Sequence, residues 1–350
     1  MRKSRSLRNS VIGASFDCQN LEHDDHIISE IVSLLSPSTR FIHLKPLTYN
    51  PGSDYLSFLT SLEIEADHLG SDYDQAYAER DKLYALFCIS NLRSLSVIGV
   101  RCWGCFGEVL DSSRVGSSNI TFLLFRNSVH AGQDLFEVLT WPKALISFRF
   151  ELEVDDHMTF GNHRDIMRGG EFSAALLPQA PTLEEIYIYG NSEGDNCGYD
   201  LTNIVDLRPF TNLRRVGLHL SLMMVYIADA EFCEEPLEIF PRMYEILPPA
   251  LEQLQIEMRN EFPSTSFFSS DPCWEADLRA GELSQAVCEI MQNKRDRYPR
   301  LRDIIFFQHR SSTKMNLEDI SGCSELLQCS KSTGVHVSWL AGNPPPLFSA

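Results

Sequence analysis

No run of eighteen or more apolar residues occurs in the 350-residue chain, so no hydrophobic membrane helix is encoded. Basic charge is scarce as well. Thirty lysines and arginines stand against 48 acids, for a net charge of −18. That balance excludes a general nucleic-acid binder, which needs cations to displace phosphate counterions. The phosphate-cradling spellings GxGxxG, GxxxxGKS and GxxxxGKT are missing, and so is the zinc-protease helix HExxH. The ten cysteines form no regular framework. Dispersed over this length they read as reduced, mostly buried thiols rather than a disulfide scaffold. At Val11–Ala14 the apolar stretch is too short for a signal-peptide core. These absences together lead to the expectation of a soluble protein of the cytoplasm or nucleus, without cofactor or metal and without membrane or nucleic-acid partners. The basic start, RKSRSLR, reads as a nuclear signal or a tail.

What is present is a phrase that returns. Residues 181–191 read PTLEEIYIYGN, with Leu183, Ile186 and Ile188 in an L-x-x-L-x-L spacing. The same spacing places Leu92, Leu95 and Val97 in NLRSLSVIG, and Leu213, Val216 and Leu218 in TNLRRVGLH. It returns as Leu251, Leu254 and Ile256, and as Leu301, Ile304 and Phe306. Looser copies begin at Leu59, Ile120 and Leu145. A first copy with Thr39, Ile42 and Leu44 and a degenerate last copy, VHVSW (335–339), complete the series. Most steps between copies match the scale of one supersecondary unit.

Helix-like segments precede most copies, as in 74–90, 235–250 and 281–299. In the last of these Leu283, Val287, Ile290 and Met291 share one helical face. Pro178, Pro181, Pro248, Pro249 and Pro299 stand just before strands, where proline ends a helix. A short alternating strand cannot bury its apolar side alone, but stacked in parallel on its copies and covered by helices it can. The expected fold is therefore α/β. It is an irregular repeat solenoid over residues 21–340 with a parallel concave sheet and helices on the convex face. A basic tail at 1–20 and a proline-rich tail at 341–350 flank it.

These residues resemble the leucine-rich repeat proteins. More particularly, "helix, proline, L-x-x-L-x-L" looks like the divergent repeat region of fungal F-box-type proteins, over about residues 27–310. The resemblance implies repeats that hold a substrate for a ubiquitin ligase. It further implies an N-terminal helix set that docks on a Skp1-type adaptor. HIISEIVSLLSP (26–37) is similar to the first helix of that set. His23–His26, however, stand where a leucine-proline opening is expected, and no further box helices follow.

Other chemistry is thinner. Cys102 and Cys105 form a CxxC pair, and thiol–disulfide exchange is the alternative function it supports. A redox pair expects a different context from the end of a repeat strand, and a zinc site lacks its second pair. His23 and His26 flank Asp24 and Asp25, which also suit a helix start. His157 and His163 are isolated. The run DAEFCEEPLE (229–238) carries five acids and no base. It is a solvated face or a landing place for a basic protein.

The function expected is that of a non-enzymatic interaction module. Its partner, a protein, would meet the strand positions that point away from the apolar rows. Those positions include Phe122, Arg126, Arg149, Glu185, Tyr187, Tyr189, Arg215, His219 and Glu257, and tyrosine and arginine dominate interface energetics. Read as exposed, Tyr187, Tyr189 and Arg215 replaced by alanine should abolish partner capture while leaving stability within about 1 kcal/mol.

Overall fold

The computed structural model describes residues 13–17, 41–45, 59–65, 83–98, 112–128, 132–152, 169–189, 204–223, 242–257, 272–308 and 322–341. The chain divides into two compact units, Met1–Met167 and Arg168–Ala350. Each is an α/β unit whose described strands pair only in parallel.

In the first unit the strands are β1 (Gly13–Asp17), β2 (Phe41–Lys45), β3 (Ser61–Glu65), β4 (Ser94–Ile98), β5 (Phe122–Ser128) and β6 (Ser147–Leu152). Each pairs with the next in chain order. Leu62, Leu95, Leu123 and Phe148 stand opposite one another, and so do Ile64, Val97, Phe125 and Phe150. All eight are buried. A register irregularity lies between Phe125 and Ser128. Helix α1 (Gly132–Thr140) connects β5 to β6 and buries Leu135, Val138 and Leu139. Trp141 follows it, packed edge-on against Tyr84 and Phe87 at 5.1 and 5.0 Å. The Arg114 guanidinium lies over the Tyr84 ring at 4.2 Å.

The second unit has β7 (Glu185–Tyr189), β8 (Arg215–His219), β9 (Gln253–Glu257), β10 (Asp303–Gln308) and β11 (His336–Ala341), again paired in chain order. Ile186, Val216, Leu254 and Ile304 form one row across four strands, with Val337 as its fifth member. Ile188, Leu218, Ile256 and Phe306 form the next. The leading leucines Leu183, Leu213, Leu251 and Leu301 have no solvent exposure. Helix α2 (Gly169–Leu176) precedes β7 and buries Phe172 and Leu176. Helices α3 (Pro272–Gln292) and α4 (Cys323–Thr333) pack on one another and flank β10 in the chain. On α3 the expected face is inward, since Leu283, Val287, Ile290 and Met291 are all fully buried. Crossovers of this kind are what parallel pairing requires, because a tight turn cannot return the chain to the same end of the sheet.

The phrase found in the sequence therefore lands on the strands, with its apolar members in register. One strand was not anticipated. Residues Gly13–Asp17, inside the segment read as a basic tail, pair with β2 so that Ala14 meets Ile42 and Phe16 meets Leu44. Alanine in place of leucine made that copy hard to see.

Two outcomes test this architecture. Leu254→Ala, at the centre of a fully buried row, should cost about 2–5 kcal/mol in denaturant unfolding; a cost near zero would contradict the stacking. The second concerns alkali. Burial pushes the Tyr298 hydroxyl up from 10.0 to about 12. Burial, and then the neighbouring Cys329, push the Cys288 thiol up from 9.0 to about 12. Both stay protonated in the folded chain while the unfolded chain ionises. Stability is therefore full below about pH 9 and falls as pH rises towards 12. Unfolding free energies measured at pH 8 and pH 11 should show this loss, and Tyr298→Phe should reduce it.

Candidate functional site

Strand alternation sends the residues between the apolar rows to the second face of each sheet. In the second unit this face brings together Glu185, Tyr187 and Tyr189 of β7, Arg215, Gly217 and His219 of β8, and Gln253, Gln255 and Glu257 of β9. Register sets Tyr187 beside Gly217 and Gly217 beside Gln255. Because Gly217 has no side chain, the strand offers a gap that the tyrosines fill. A Cβ built there would fall inside van der Waals distance of the Tyr189 hydroxyl and the Tyr187 ring. Tyr189 reaches across β8, and its hydroxyl donates to Gln255 Oε1 at 2.7 Å. Gln255 Nε2 in turn donates to Gln253 Oε1 at 3.1 Å. The Tyr189 ring meets Phe307 of β10 edge-on at 4.8 Å and Tyr187 at 5.7 Å, and Leu340 of β11 packs on the same group.

This is a second core. Tyr187, Tyr189 and Phe307 are 3%, 1% and 0% exposed. Glu185, His219, Gln255 and Glu257 are buried beside them. The expectation that Tyr187, Tyr189, Glu185, His219 and Glu257 are exposed is therefore corrected. The reason is tertiary: large rings pack over a glycine and exclude water from the polar groups around them. Among the expected second-face residues of this unit, Arg215 does reach solvent. Its guanidinium pairs with the Glu185 carboxylate while leaving 54% of its side chain exposed.

The first unit repeats the theme with charge. Glu151 is held between two arginines, accepting from Arg126 Nε at 3.0 Å and pairing with Arg149. Arg149 and Glu151 are buried, whereas the Arg126 side chain is 42% exposed. The expected exposure of Arg149 is thus also corrected. Phe122 is half-buried at the start of β5, and Leu124 is buried. Neighbouring Leu123 and Phe125 fill the apolar rows, so the strand register is the one expected.

Of the expected second-face set, Phe122 and Arg126 in the first unit and Arg215 in the second keep accessible area. Arginine can form paired hydrogen bonds with a carboxylate while its plane stacks on an aromatic ring. The role of Gly217 was missed, although a glycine inside an alternating strand signals close approach by another group. Among the described residues no group of three or more histidines, cysteines or acids could hold a metal ion. No helix among them is long and apolar enough to cross a membrane.

Several sequence features lie outside the described residues: Cys102 and Cys105, His23 to His26, His157, His163, Asn191 and the acidic run 229–238. The same holds for GNSEG (190–194), a match to the GxSxG nucleophile spelling that directly follows β7. No protein-family model, curated protein or solved structure matches the chain.

Gly217→Ala should destabilise the protein by about 1–3 kcal/mol through overpacking. Tyr189→Ala should cost about 3–5 kcal/mol, as buried aromatic truncations do. Urea unfolding would check both; a change below about 1 kcal/mol for Tyr189→Ala would restore the view that this ring is a free contact residue.

Proposed function

We propose that the chain is a non-enzymatic interaction module of the leucine-rich-repeat class, and that a protein partner docks on the second face of its strands. The observation that supports this reading is the register of Ile186, Val216, Leu254 and Ile304. Such stacking is how a repeat of the L-x-x-L-x-L type buries its leucines. Neighbouring strands then display their remaining side chains side by side, as a surface on which loops need not be ordered before binding.

Taken unit by unit, the contact residues would be Phe122 and Arg126 on the second face of the first unit, and Arg215 on that of the second. They are the members of the expected set with accessible area. The buried Arg149, Glu185, Tyr187, Tyr189, His219 and Glu257 would support them rather than touch the partner. Glu151 and Glu185 hold the exposed arginines in place, and such preorganisation lowers the entropy lost on binding.

The finer proposal, a substrate receptor of a ubiquitin ligase, rests on the resemblance of the repeat phrase alone. It is tested by mixing the purified chain with a Skp1-type adaptor. Failure to co-elute removes that role and leaves the interaction module standing. For the surface itself, Arg126→Gln and Arg215→Gln should together weaken capture of a cross-linked native partner at least tenfold. Their unfolding free energy should fall by about 1–3 kcal/mol, because glutamine leaves the buried Glu151 and Glu185 carboxylates short of a charged partner, and the fold should persist. Undiminished capture by the folded double variant would refute the surface.

A further inference from the structure

The chain carries −18 net charge, yet residues 294–302, KRDRYPRLR, hold five bases and one acid. They form the connection from α3 to β10. The turn is tied down tightly. Asn293 Nδ2 donates to the Glu289 carbonyl at 2.8 Å, and the amides of Arg297 and Tyr298 donate to the carbonyls of Asn293 and Lys294, both at 2.9 Å. The Leu301 amide donates to the Tyr298 carbonyl at 3.0 Å. Tyr298 and Leu301 are buried anchors, and the Tyr298 hydroxyl donates to the Tyr244 carbonyl. Lys294 Nζ is engaged by the carbonyls of Thr333 and Gly334. Arg297 stacks over the Tyr244 ring at 5.1 Å.

What remains outside is guanidinium. Arg295, Arg297, Arg300 and Arg302 are exposed. A fifth, Arg214, lies on the same rim. Its carbonyl accepts from the Glu252 amide, and the Glu252 carbonyl accepts from the Arg302 amide, both at 2.8 Å. Arg214 and Arg302 therefore stand two strands apart at the same height, roughly 10 Å at ordinary strand spacing. Among the described residues Arg214, Arg295, Arg300 and Arg302 enter no ion pair. Among the described residues the acids on this rim are Asp296 on the turn, Glu252 between the two arginines, and Glu184 at the next strand along; Asp303 lies 3.7 Å from the exposed His336.

We propose that this arginine rim at the N-terminal ends of β8 to β10 binds a short, carboxylate-rich segment of a partner protein. Charge selects the partner class. An acidic chain repels long polyanions such as nucleic acid or an anionic bilayer, whose charge extends far beyond the patch. Screening over about 8 Å at physiological salt confines the attraction to a few residues. A segment only a few residues long therefore gains from the rim without meeting the rest of the acidic surface. Its carboxylates would each be gripped by a guanidinium fork. In an extended segment, side chains about three residues apart span the roughly 10 Å from Arg214 to Arg302. This rim uses residues other than those proposed above, although Arg214 adjoins Arg215, and stands without that reading.

Fluorescence anisotropy on the full chain at about 0.15 M salt tests the rim. The probes are a labelled glutamate-rich peptide, the same peptide with glutamine for glutamate, a single-stranded DNA oligomer and vesicles rich in anionic phospholipid. The expected result is saturable binding of the glutamate peptide, at least tenfold weaker for Arg300→Glu/Arg302→Glu. Arg295→Glu/Arg300→Glu, which spares the strand, should show the same loss with an unchanged melting curve. No preference for glutamate over glutamine would overturn the proposal. So would equal affinity in either folded variant, or tighter binding of DNA or vesicles than of the peptide.

Discussion

Parallel pairing of very short strands is the constraint from which the other features follow. Five to seven residues of strand bury little by themselves, and parallel ladders cannot be closed by a tight turn. Each strand must come back to its neighbour through a crossover, and that crossover must cover the apolar side. Rows such as Leu62, Leu95, Leu123 and Phe148, or Ile186, Val216, Leu254 and Ile304, satisfy both demands. Each buried aliphatic side chain in such a row contributes about 1.5–3 kcal/mol, and in-register stacking lets neighbouring strands share the burial. The tied-down turn before β10 and the tyrosines across β8 depend on strands already held in this order.

Burial on the second face changes what the sheets can do. A strand that is apolar on one side and polar on the other suggests a solvated outer surface. In the second unit rings close over Gly217 instead, and a hydrogen-bonded pair of glutamines lies beneath Tyr189. Polar groups in such a place remain favourable only because they are partnered. The accessible chemistry consequently shifts to arginines whose carboxylate neighbours are buried, and to the rim where strands begin. An acidic chain with exposed arginine at both places carries guanidinium groups within a negative field, and screening confines their reach to a few residues.

Much of the fold was legible in the order of residues. The positions Leu59, Leu92, Ile120, Leu145, Leu183, Leu213, Leu251 and Leu301, read from spacing alone, are all fully buried. The helical face of Leu283, Val287, Ile290 and Met291 was equally plain, because periodicities of two and 3.6 residues are written directly into the chain. The strand at Gly13–Asp17 was not, since Ala14 and Phe16 break the leucine spelling and only pairing with Ile42 and Leu44 reveals their place.

The candidate site was legible as a set of positions but not as a surface. Alternation determines which side of a strand Tyr187, Tyr189, Arg149 and Glu257 leave from, and here it did so correctly. It carries no information on how far a ring leans across its neighbours, or on which residue of the next strand lacks a side chain to stop it. Sequence alone therefore determined the parallel repeat and its apolar rows, because each row is a local pattern copied along the chain. Only the tertiary structure decided that Tyr189 reaches Gln255 and Phe307 while Arg126 and Arg215 stay in solvent, because that outcome depends on contacts among several strands at once.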